Sequence, residues 1–141
     1  MRIFITGVSS GIGKSLAKHL ISRGHEVWGI ARRTRLLEEL ANDISSPSFR
    51  FDSCDIANPE DVGRLHLKME QENYLPDVVV LNAAIDLEDH SPGLDFSNGS
   101  QMMRTNVDGA FFWICRFIEP FLQRGSGQFI GVSSIFAHWP D

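Results

Sequence analysis

A chain of 141 residues, 43% of them hydrophobic, has the length and core content of one globular domain. Thirteen Lys and Arg against eighteen Asp and Glu give a net charge of -5 with no basic stripe or charge block, which argues against nucleic acid as a partner. No basic-then-apolar leader opens the chain and no apolar run approaches the roughly 18 residues that span a bilayer, so a soluble, cytoplasmic protein is expected.

In chain order, Arg2-Ile3-Phe4-Ile5 reads as a buried strand that runs directly into Thr6-Gly7-Val8-Ser9-Ser10-Gly11-Ile12-Gly13. A helix follows, with Ile12, Leu16 and Leu20 on one face beside Ala17 and Ile21, and it ends at Gly24. A glycine-rich turn between a strand and a helix lets backbone N–H groups approach a pyrophosphate, and the helix N-terminus adds partial positive charge. Glu26 to Ala31 reads as the second strand, Leu36, Leu37 and Leu40 mark a second helix, and Pro47 breaks the chain before a short strand from Phe49 to Phe51.

Asn58-Pro59-Glu60-Asp61 is a helix start, combining a capping side chain, a first-turn proline and acids that face the helix dipole. Val62, Leu65 and Met69 turn that helix inward. Val78 to Leu81 is a continuous apolar run of the kind covered on both faces in a parallel sheet. Asp86 to Gly99 is polar and reads as a loop, Ser100 to Gln123 as a helix, and Gln128 to Val132 as a fifth strand. Strands alternating with helices predict an α/β fold with a doubly wound parallel sheet. Cys54 and Cys115 show no CxxC spacing and suggest neither zinc nor a disulfide framework, and the five histidines do not cluster, so no metal ligand is assigned. His90 and Asp86 lie in the polar loop, where a substrate pocket could form, but nothing assigns them a role.

The Thr-Gly-x-x-x-Gly-x-Gly spacing resembles the classical branch of the short-chain dehydrogenase/reductase family rather than the common GxGxxG fingerprint. The resemblance recurs along the chain. Cys54-Asp55-Ile56 looks like the family's adenine-contacting acidic position, with Asp55 accepting from the exocyclic amine, although an Asp there equally suits a turn leading into a helix. Leu81-Asn82-Ala83-Ala84 is similar to the family's Asn-Asn-Ala-Gly. Leu81 replaces its first Asn, and Ala84 replaces its glycine, so the backbone there must do without positive φ. Asn82 is expected to tie the central strands together. Thr105-Asn106-Val107-Asp108-Gly109 looks like the segment carrying the family's catalytic asparagine, which bends a helix and holds a relay water; a surface Asn is the plain alternative. Val132-Ser133-Ser134 matches the serine that polarises the substrate carbonyl, against a simple strand-end turn.

The resemblance implies a three-layer αβα Rossmann fold with about five strands in the order 3-2-1-4-5, a single dinucleotide-binding domain over residues 1–141 that lacks the later part of the family domain. The cofactor-binding set is then Thr6, Gly7, Ser9, Ser10, Gly11, Ile12, Gly13, Arg32, Arg33, Asp55, Ile56, Asn82, Ala83 and Ala84, with Asn106 and Ser134 as catalytic residues. At the end of the second strand an acid would accept from the ribose 2′-OH of NAD. Here the chain reads Ile30-Ala31-Arg32-Arg33, which favours NADP(H) over NAD(H), with Arg32 ahead of Arg33 as partner of the 2′-phosphate and solvated helix-start arginines as the alternative.

The family's Tyr-x-x-x-Lys pair would fall beyond Asp141. Tyr74, the one tyrosine, precedes the fourth strand and belongs at the wrong edge of the sheet to replace it. An NADP(H)-dependent oxidoreductase acting on an alcohol or carbonyl, inactive as this short chain, is the leading expectation. A non-catalytic NADP(H)-binding module acting through a dimer, or a decayed relic, are the alternatives. The run Ala110 to Cys115 with Phe117, Ile118, Phe121 and Leu122 is apolar nearly all round, as in a helix buried on several sides; the resemblance implies the tyrosine-bearing helix and a second subunit as its outer neighbours, so without that helix exposed aromatics, a free edge on the fifth strand and a homo-oligomer are expected.

Overall fold

The computed structural model describes residues 1–87 and 96–134. Five parallel strands, β1 (Arg2–Thr6), β2 (Glu26–Ala31), β3 (Phe49–Ser53), β4 (Val78–Leu81) and β5 (Gln128–Gly131), form one sheet in the order β3-β2-β1-β4-β5. The helices are α1 (Gly11–Ser22), α2 (Thr34–Ile44), α3 (Pro59–Gln71), α4 (Phe96–Met103) and α5 (Gly109–Arg124), and a π-helical turn (Arg104–Asp108) joins the last two.

Both faces of the central strands β1, β2 and β4 are covered, which is why these strands are nearly continuously apolar. Ile3 and Ile5 of β1 point to one side, where they meet Ala17 of α1 and Leu37 and Leu40 of α2. Phe4, between them, points to the other side and packs with Val62 and Leu65 of α3 and Trp113 and Phe117 of α5. The α1 helix ends as its sequence predicts, with Gly24 at φ 80° and the His25 N–H donating to the Leu20 carbonyl at 3.1 Å. The Asn58 side chain caps α3 by accepting from the Glu60 N–H at 3.0 Å.

Several boundaries differ from the sequence reading, among them that of β3, expected to end at Phe51, which runs to Ser53. Phe96 to Gly99, expected in a loop, form the first turn of α4, because the following helical segment extends backwards over weak local signals. The helix expected from Ser100 to Gln123 is interrupted by the π turn. The strand expected to reach Val132 ends at Gly131, though the Val132 N–H still donates to the Leu81 carbonyl at 3.0 Å. His90 and most of the polar loop around it lie outside the described residues, as does His138.

Candidate nucleotide-binding site

At the carboxyl end of β1 the chain turns through Gly7, at φ 78°, and Gly11, at φ 56°, before entering α1. Two close approaches make this turn intolerant of side chains. A Cβ on Gly7 would sit 2.7 Å from the Cα of Ala83, and one on Gly13 would sit 2.3 Å from the Gly7 carbonyl oxygen and 2.5 Å from Asn82 Nδ2. The first turn of α1 is therefore laid directly on the glycine turn. Ser10, the N-cap residue, makes no side-chain cap bond.

Asn82 locks this arrangement. Its Nδ2 donates to the Thr6 carbonyl at 3.0 Å and the Gly7 carbonyl at 3.1 Å, while Thr6 Oγ1 accepts from the backbone N–H groups of Asn82 and Ala83, each at 3.0 Å. The strand-tying role read for Asn82 is what the geometry shows. Neither Ala84 nor any other described residue around it takes a positive φ, so the replacement of glycine there is accommodated without strain.

A cavity of about 1040 Å³ runs across the carboxyl ends of the strands. Of the residues singled out in the sequence, Gly7, Ser9, Ser10, Gly11, Ile12, Arg32, Arg33, Asp55, Ile56, Asn82, Ala83, Ala84, Asn106 and Ser134 all line it. Thr6 and Gly13 do not; they stand behind the lining and hold it in place. Asp55 Oδ1 accepts from the Ala57 N–H at 3.0 Å, so this carboxylate makes the turn into α3 and borders the cavity at once.

The two arginines separate. Arg33 Nη2 donates to Ser9 Oγ at 2.9 Å and Ser10 Oγ at 3.1 Å, which lays its guanidinium across the glycine turn. The Arg32 carbonyl accepts from Ser53 Oγ at 3.1 Å, tying β2 to β3, while the residue borders the cavity. The sequence ranked Arg32 first; the geometry brings Arg33 to the turn.

Asn106 sits within the π turn. Its Oδ1 accepts from the Ile85 N–H at 2.8 Å and its Nδ2 donates to the Ile85 carbonyl at 2.9 Å. This reciprocal pair is the compensation that an asparagine inside a helix needs. Ile85 also lines the cavity and was not singled out beforehand, because no local pattern marks an ordinary aliphatic as a wall; Cys54, Thr105 and Val107, which stand in the sequence motifs without a role of their own, line it too. Burial pushes the Cys54 thiol up to about 12, with Asp61 adding to it, so it stays protonated near neutrality. Tyr74 lies away from the cavity, its hydroxyl donating to the Ile3 carbonyl at 3.1 Å, and burial raises its pKa.

The family model described as short chain dehydrogenase matches residues 1–140. The chain belongs to the short-chain dehydrogenase family. Among curated short-chain dehydrogenase relatives, it is 31% identical over 137 residues to an NADPH-dependent pterin aldehyde reductase of Arabidopsis thaliana, covering 94% of this chain and 55% of that protein. It is 32% identical over 136 residues to an uncharacterized oxidoreductase of Listeria monocytogenes, covering 94% of this chain and 54% of that one. The chain thus spans about half the length of these relatives. Serine dehydrogenase, in its closed form complexed with NADP+, superposes with a TM-score of 0.92 at 22% identity, over all of this chain and 57% of that one. At that identity the likeness is one of fold.

Proposed function

We propose that these residues form the cofactor-binding part of an NADP(H)-dependent oxidoreductase that acts on an alcohol or carbonyl compound. The observation that carries this reading is the Arg33 guanidinium held over Ser9 and Ser10, at the end of a strand that offers no carboxylate. A ribose 2′-phosphate needs donors in a fork, and an acid at this place would repel it. The fit of the rest follows from the cradle. Gly7 and Gly13 leave room that a Cβ would fill, the N-terminus of α1 would hold the pyrophosphate, and Asp55, which lines the cavity, would accept from the adenine amine. The relative from Arabidopsis thaliana is named for NADPH dependence, which supports the same choice.

When bound, the cofactor supplies or accepts a hydride at its nicotinamide ring. Ser134, which lines the cavity beyond β5, would donate a hydrogen bond to the substrate oxygen, and Asn106, held to Ile85, would hold a relay water beside its turn. The single tyrosine, Tyr74, is buried on the Ile3 carbonyl, so these residues bring no phenol to the cavity. General acid–base catalysis is typically worth about 10²–10⁴-fold, and these 141 residues by themselves are expected to bind cofactor and turn over little.

Titration calorimetry with NADPH and NADH tests the reading. NADPH is expected to bind more tightly, and Arg33→Ala to weaken it by roughly ten- to hundredfold while changing NADH by less than about threefold. Tighter NADH binding, or an equal loss for both cofactors in the variant, would refute the assignment.

A further inference from the structure

β3 is the outer strand of the sheet, and its pairing with β2 ends at Ser53. The Cys54 N–H still reaches the Ala31 carbonyl at 3.0 Å, but Asp55 lies past the ladder, and its backbone groups need partners from the chain that leads into α3. They find them within six residues. The Asp55 carbonyl accepts from the Asn58 N–H at 3.0 Å, and its Oδ1 accepts from the Ala57 N–H at 3.0 Å. The Asp55 N–H donates to Oδ2 of Asp61, in the first turn of α3, at 3.2 Å. Of the polar atoms of Asp55, only Oδ2 is then left without a partner among the described residues, and the residue lines the cavity.

Asp61 holds this loop instead of capping its own helix. An acid at the third helical position ordinarily reaches back to the N–H of the N-cap residue. Here that N–H, on Asn58, is committed to the Asp55 carbonyl, while the Asn58 side chain serves Glu60, so Asp61 reaches three residues further back. Its two oxygens divide the work. Oδ2 takes the Asp55 N–H, and Oδ1 faces Arg64 Nη2 at 3.3 Å, which itself lies 3.5 Å from the Ser53 carbonyl. The guanidinium sets a positive charge beside Asp61, which lowers the cost of keeping a second carboxylate close to Asp55.

We propose that Asp61 is a positioning residue for the adenine end of the cofactor: resting on the dinucleotide reading of the cavity, it fixes the backbone of Asp55 so that the remaining carboxylate oxygen accepts from the adenine amine. The side chain of Asp55 is held at Oδ1 and its backbone at both N–H and carbonyl, so its direction is set before any ligand arrives. Orienting the acceptor is then a cost of folding and not of binding. Loss of the Asp61 bond frees one of the three restraints and returns part of that cost to the binding step.

Calorimetry on the full chain tests this with NADPH and with its 6-oxo analogue, in which hypoxanthine replaces adenine. The analogue presents an acceptor where adenine presents its amine, so the unsubstituted protein is expected to favour NADPH by about tenfold. Asp61→Ala is expected to weaken NADPH by roughly three- to tenfold and the analogue by less than about twofold, shrinking that preference. Asp61→Asn, whose side-chain oxygen still accepts, is expected to retain most of it. A general loosening of the fold, or the removal of one negative charge, would move both ligands together. Equal losses for the two ligands, or an unchanged preference in Asp61→Ala, would overturn the proposal and leave the dinucleotide reading in place. An unsubstituted chain that binds neither ligand would overturn both, and one that binds the two equally would remove the adenine role of Asp55 and the proposal with it. Should Asp61→Ala fail to fold, amide hydrogen exchange of the unsubstituted chain decides: a protected Asp55 N–H is expected, and exchange at the rate of a free peptide would overturn the bond.

Discussion

Gly13 shows how little room a binding turn leaves at the scale of one residue. A methyl there meets a backbone carbonyl oxygen at 2.3 Å, and no side-chain rotation can relieve that contact. Gly13→Ala is therefore expected to cost about 2–3 kcal/mol, seen as a lower denaturant midpoint, and to abolish NADPH binding in calorimetry. Arg33 and Arg32 make a second contrast. They are adjacent and chemically identical, yet one spans Ser9 and Ser10 and the other gives its carbonyl to Ser53. The sequence could place two guanidiniums at the end of a strand but not say which would turn towards the glycines. That direction depends on how β2 leaves the sheet.

Among the elements, the segment from α4 to α5 is the least regular and the most informative. Asn106 replaces an ordinary helical residue with a two-bond bridge to Ile85, both bonds under 3 Å. Removing the amide by Asn106→Ala leaves a half-buried N–H and carbonyl without that partner, at about 1–3 kcal/mol for an unsatisfied group. Faster hydrogen exchange at the Ile85 amide is the expected readout; unchanged protection would show that the bridge is not what holds it.

The α3–α5 contact carries a pH dependence of definite sign. Burial, followed by the Arg116 charge, lowers the pKa of His66 against the pull of Glu70. The unfolded chain therefore takes up a proton before the folded one as pH falls below about 6.5. The stability that His66 contributes is complete above that pH and declines beneath it. Thermal melts at pH 7.5 and 5.5 are expected to show a fall in Tm that is smaller in His66→Phe, and an equal fall in both would count against this origin.

For the molecule as a whole, the apolar surface that α5 leaves uncovered matters most. Trp113, Phe117 and Phe121 are buried on the sheet, but Phe111 is 60% and Leu122 74% exposed, and Ile118 lies between them on the same side. Beside them β5 is an edge strand whose Ile130 is also exposed. Surfaces of this kind drive association. We propose that the chain is a homo-oligomer, and light scattering is expected to return a multiple of 15.8 kDa. A monomer at micromolar concentration would refute this. Ile118→Lys with Leu122→Lys is expected to shift the population towards monomer without unfolding it, since neither side chain belongs to the core.

The strands, the Asn58 cap and the glycine turn were legible in the sequence because each rests on near neighbours: apolar runs, a capping pair and closely spaced glycines; the strand order came only through the family resemblance. The family was legible for the same reason, since its motifs are local. Only the tertiary structure decided that Arg33 rather than Arg32 lies on the turn and that Asn106 opens the helix into a π turn against Ile85. Each of these joins groups distant along the chain, and their meeting is set by how the helices settle on the sheet, which no local pattern encodes.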